Sequence, residues 1–172
     1  VFLGVMWITF AFQLLIFPAI GIPIGSDLWN ATFVLSTAHP EYVWTWVTSI
    51  FSHGGFYHIV GNSIIIFFFG RLVEDYVGSR DYTFLFLGSG MLAGLGQVGV
   101  IFLTNDPLGI PILGASGAGL AIMGILTVLN PNLKVYLYFL LPIPIWVITG
   151  FYALISVVGI FGFGQIGGGI AN

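Results

Sequence analysis

Charge is confined to a few short stretches of this chain, and the segments between them are long and apolar. No charged residue occurs from Val1 to Ile20 or from Tyr82 to Leu103, and after Asp106 the sole charge is Lys134. A helix crossing the roughly 30 Å hydrocarbon core needs about 20 such residues. Charged residues make up 5% of the 172 positions and hydrophobic residues 58%, far from the balance of a soluble domain. The chain therefore reads as a membrane protein, with room for about five helices in one bundle and no second domain.

Composition also excludes several functions. With no cysteine, neither a disulfide framework nor a thiolate metal site can form. A net charge of −3 without any basic cluster excludes a nucleic-acid surface. The opening stretch has neither a basic n-region nor a small-residue cleavage site, so the expectation is a trimmed membrane core rather than a signal peptide.

Polar punctuation and proline or glycine breaks divide the chain. Apolar helices are expected over about 1–20, 58–73, 82–103, 116–129 and 135–161, the last with a kink or broken first turn at Pro142 and Pro144. A loop from 162 leads toward the start of a sixth helix near Ile170. The segment 21–55 is too long for a simple bundle connection. Its Trp29, Trp44 and Trp46 favour the membrane interface, which fits either an anchored interfacial loop or a folded element lying partly in the bilayer.

The basic residues give the orientation. Arg71 and Arg80 flank one connection and Lys134 lies in another, and in an up-and-down bundle these share a side. The positive-inside tendency makes that side cytoplasmic. The helices beginning near His58 and Ser116 then both start at the outer face.

Two polar constellations occupy those outer ends: Ser52-His53-Gly54-Gly55-Phe56-Tyr57-His58-Ile59-Val60-Gly61-Asn62, and Gly114-Ala115-Ser116-Gly117. His58 and Asn62 are four apart, so they share a helix face, and in a membrane that face should point inward. They would tie helices together by hydrogen bonds or serve a site. Ser116 would be a helix cap or a nucleophile beside exposed helix N–H groups that can hold an oxyanion. Gly114, Gly117 and Gly119 allow close helix approach under either reading. A serine nucleophile needs a base to take its proton. The three histidines, His39, His53 and His58, lack the spacing and the neighbouring acid of a helical metal motif, so no metal is expected.

Taken together these residues resemble the rhomboid family of intramembrane serine proteases. His58 and Asn62 match its His-x-x-x-Asn, His53 its upstream histidine, Gly114 to Gly117 its Gly-x-Ser-Gly, and Glu74 an acid at the inner end of the second helix. The resemblance implies an all-α, polytopic bundle, here with five of six helices. It implies Ser116 as nucleophile of a Ser/His dyad, an oxyanion held by the Ser116 N–H with the His58 and Asn62 side chains, and support from His53, Gly114 and Gly117. The fifth helix and following loop would gate substrate entry, which assigns Trp146 and Phe151 to the gate. Implied partners are transmembrane protein substrates and the bilayer, with no cofactor.

The family's general base follows a sequence of the form Ala-Asn-x-Ala-His. Here Ala171-Asn172 ends the sequence in that register, so the expected histidine is the third residue beyond Asn172 and the fragment lacks its base. Leu120 replaces an aromatic residue found in some members, and Trp44-Thr45 stands for Trp-Arg. A prokaryotic cell membrane, with the active site toward the outside, is the expected location. The alternatives are a non-catalytic rhomboid-like protein that binds transmembrane helices, and a small transporter, which would call for internal repeats.

Overall fold

In hydrocarbon, backbone N–H and C=O groups must be bonded within the protein, which leaves the helix as the natural form of a lone apolar segment. The computed structural model describes residues 1–39, 41–104, 112–137 and 140–160. Among them the helices are α1 (Phe2–Ala19), α2 (Asp27–Phe33), α3 (Thr45–Phe51), α4 (Phe56–Val77), α5 (Ser79–Thr104), α6 (Ser116–Leu129) and α7 (Ile145–Ile160). α1, α4 and α5 are long and apolar enough to cross a membrane, and α6 and α7 are shorter apolar helices.

α6 is the axis of the bundle. It packs against α4, α5 and α7, and its Ala118, Ile122 and Leu126 join Met6 and Phe10 of α1, Ile59, Ile66 and Val73 of α4, and Phe86 of α5 in one core. Lipid tails compete with apolar side chains, so close fit rather than hydrophobicity holds such helices together. The fit here depends on small residues. A Cβ at Gly117 would collide with Ala93 of α5, and one at Gly119 would lie 3.2 Å from Ile65 of α4. With 14 residues, α6 is about 21 Å long at 1.5 Å per residue, some two-thirds of a bilayer core.

The segment between α1 and α4 is folded. Ser26 caps α2, its Oγ accepting from the Trp29 N–H at 3.4 Å, and Trp29, Phe33 and Val34 form a small second core. Thr48 Oγ1 and Trp44 Nε1 each donate to an α2 carbonyl at 2.7 Å, of Thr32 and Ala31, locking α3 beside α2.

One expectation needs correction. Residues 135–137 and 141–144 do not start a helix but belong to two antiparallel strands, β1 (Lys134–Leu137) and β2 (Leu141–Pro144). In their register Lys134 faces Pro144 and Tyr136 faces Pro142. Prolines two apart cannot donate, so they fit the alternate positions of a strand that make no ladder bond, whereas in a helix each would remove a bond and clash. The Ile145 N–H then donates to the Leu133 carbonyl at 2.8 Å as α7 begins. The expected cap loop and sixth-helix start at 162–172 lie outside the described residues.

Candidate active site

The α4 half of the site begins where α3 ends. Buried Ser52 and His53 and then Gly54 and Gly55 lead into α4, whose first turn carries His58 and whose second carries Asn62. Asn62 faces the interior and is 3% exposed, while His58 is half-buried. The turn of helix between them stacks both on one face. The His53 ring lies edge-on to His58, with centroids 5.1 Å apart at 69°. Its Nδ1 is 3.1 Å from the Phe51 carbonyl, an acceptor only, so Nδ1 carries the proton and Nε2 a lone pair. Burial pushes the His53 imidazole down from 6.5 to about 4, with His58 adding to the effect and the Phe51 carbonyl opposing it, so His53 is neutral at pH 7.

The α6 half is held from the folded loop. Leu35 and Ile112 exchange backbone bonds of 3.0 and 3.2 Å, and the Gly114 N–H donates to the Ser49 carbonyl at 2.8 Å. Gly114 has φ +116°, a backbone conformation that favours glycine. A Cβ there would lie 2.6 Å from His58 Cε1, 2.7 Å from His58 Nε2 and 3.7 Å from Asn62 Nδ2. The segment entering α6 therefore runs directly against the His58/Asn62 face, two residues before Ser116.

Ser116 is half-buried and is the first residue of α6. The cap position belongs to Ala115, and no side chain caps the helix, which removes the capping reading of Ser116. The Gly119 N–H donates to the Ala115 carbonyl at 2.8 Å, opening the ladder, so the N–H groups of Ser116, Gly117 and Ala118 precede it. The serine hydroxyl and free helix N–H groups at the start of α6 thus share one end of the bundle with the two polar side chains of α4. That set can hold a negative oxygen, the requirement of acyl transfer.

The remaining candidates fall elsewhere. His39 pairs with Glu41 at 3.0 Å on the exposed loop, and among the described residues no group of three or more His, Cys, Asp or Glu side chains gathers for a metal. Trp146 and Phe151 are exposed on α7. Sequence reasoning passed over Gln13, which is fully buried in α1 and accepts from the His53 N–H at 3.0 Å. A lone amide inside an apolar span was the available signal.

The family model for the Rhomboid domain matches residues 40–171. Over 122 residues the chain is 30% identical to "Putative rhomboid protease YdcA" of Bacillus subtilis (strain 168), covering 71% of this chain and 55% of that protein. It is 34% identical over 112 residues to RHOMBOID-like protein 12, mitochondrial, of Arabidopsis thaliana, covering 58% of this chain and 33% of that protein. To Rhomboid protein 1, mitochondrial, of Saccharomyces cerevisiae (strain ATCC 204508 / S288c) it is 30% identical over 98 residues, covering 57% and 28%. The match thus spans about half the length of the first relative and about a third or less of the other two.

Proposed function

Because the chain belongs to the rhomboid family, a family of intramembrane-protease type, we propose that it carries the nucleophile and oxyanion site of an intramembrane serine endopeptidase. The observation that carries this reading is the packing of Gly114 against His58 and Asn62, which brings the Gly-Ala-Ser-Gly segment to the polar face of α4.

In this reading Ser116 Oγ attacks a peptide carbonyl in or near a substrate's transmembrane segment. The carbonyl oxygen gains the negative charge and is met by the Ser116 N–H with the His58 and Asn62 side chains. A histidine following Asn172 takes the hydroxyl proton and returns it to the leaving amine, and water then hydrolyses the acyl-enzyme. Gly114 and Gly117 keep the backbone close to its neighbours, and His53 backs His58. Substrates are membrane proteins that enter from the bilayer past Trp146 and Phe151 on the exposed side of α7. The location is a cell membrane, with the site toward the outer face.

The test uses the intact protein in proteoliposomes with a fluorophosphonate probe and a single-span reporter substrate. Labelling and cleavage in the wild type, both lost in Ser116→Ala, are expected. Loss of one oxyanion donor in Asn62→Ala is expected to lower turnover about 10²-fold. Equal labelling of Ser116→Ala, or binding of the reporter with no cleavage by the wild type, would replace this reading with that of a non-catalytic helix-binding protein.

A further inference from the structure

Gln13 is the second residue of a π-helical turn, Phe12–Ile16, within the uncharged span of α1. Single π turns inside α-helices recur at functional sites, because the wider turn re-aims a side chain and disturbs the backbone ladder. Here both consequences are visible. The Gln13 backbone carbonyl accepts from the Trp29 indole Nε1 at 3.3 Å, and the side-chain Oε1 accepts from the His53 N–H at 3.0 Å. One residue of α1 therefore fixes both the folded loop and the entry to α4.

The polar seam continues from there. His53 lies edge-on to His58, and His58 and Asn62 face Gly114. Along this seam Gln13 is 0%, His53 1% and Asn62 3% exposed, and Gln13 Nε2, His53 Nε2 and Asn62 Nδ2 are buried nitrogens without a protein partner among the described residues. A chain seeking only stability would fill such a place with apolar groups, since an unpaired buried nitrogen is destabilising. A simple helix tie would leave no such run of polar atoms leading to one end of the bundle.

We propose that Gln13 is a positioning residue for the oxyanion end of the site, holding the His53 backbone so that the His53 ring sets the place of the His58 ring against Gly114. This rests on the serine-endopeptidase reading above. Gln13 touches neither substrate nor Ser116. Its effect reaches the reaction through His58, which acts only when the oxyanion forms, so turnover should change and substrate binding should not.

The experiment measures kcat and KM on the intact protein in proteoliposomes, with the number of competent sites counted by end-point fluorophosphonate labelling. Gln13→Met keeps the length and removes the acceptor, and Gln13→Asn keeps the amide but withdraws it by one methylene. Each is expected to lower kcat per labelled site about tenfold, with KM within about twofold. Gln13→Glu, which keeps an oxygen at the same reach, is expected to restore at least about a third of wild-type kcat. Gln13→Asn also serves as the readable variant if Gln13→Met fails to fold. Wild-type kcat per labelled site in the variants that fold, even with fewer sites, would overturn the inference and leave Gln13 a structural tie. A wild type with no Ser116-dependent cleavage would instead overturn the endopeptidase reading, and this inference with it.

Discussion

Replacing Gly114 with alanine perturbs the site with the smallest possible group. The new methyl carbon would stand 2.6 Å from His58 Cε1 and 2.7 Å from His58 Nε2. Carbon atoms in contact prefer about 3.5–4.0 Å, so the imidazole or the backbone must move by about 1 Å. The backbone cannot yield easily, because the Gly114 N–H is bonded to the Ser49 carbonyl and Ile112 is paired with Leu35. At φ +116° an alanine is itself strained, by about 1–3 kcal/mol. A displacement of about 1 Å at a reacting centre lowers turnover about 10²-fold. The assay is cleavage of a single-span reporter in proteoliposomes, normalised to folded protein, beside Gly88→Ala as a control, where a Cβ meets nothing within 4 Å. Gly114→Ala is expected to lose about 10²-fold in kcat while Gly88→Ala stays near wild type. More than half of wild-type turnover in Gly114→Ala would refute the placement of His58 against this segment.

Two further outcomes follow from the same packing. Gly117→Ala sets a methyl against Ala93, so it should destabilise the protein by about 1–3 kcal/mol, and adding Ala93→Gly should recover most of that loss in a denaturant titration in detergent. His53, lowered by burial from 6.5 to about 4, binds a proton more readily in the unfolded chain. Its contribution to stability is therefore complete above pH 6.5, declines as pH falls through this window, and is gone below about 4. The loss is about 3 kcal/mol at full extent, measured by unfolding across pH, and His53→Asn should flatten that dependence.

Much of this architecture was legible from local pattern. Long uncharged stretches specify membrane helices, because the cost of placing charge in hydrocarbon adds up residue by residue. The Gly-Ala-Ser-Gly segment before an apolar run, and Asn130-Pro131 after it, mark α6. The histidine and asparagine four apart identify a shared inward face. The strand pair of β1 and β2 was not legible, since an apolar stretch without clear periodicity suits a helix or a strand equally, and its prolines read as a kink. Nor was the fold of the segment around Trp29 and Trp44, where the decisive indole bonds reach carbonyls of other elements.

What the sequence determined by itself is the membrane environment, the approximate spans and the residue types available for chemistry, because each follows from the summed transfer preferences of neighbouring residues. Tertiary structure alone decided that Gly114 meets His58, that Gly117 meets Ala93, and that Gln13 reaches across from α1 to His53. These partners lie far apart in the chain, and their meeting depends on close fit and hydrogen-bond geometry between helices, which no local window of sequence contains.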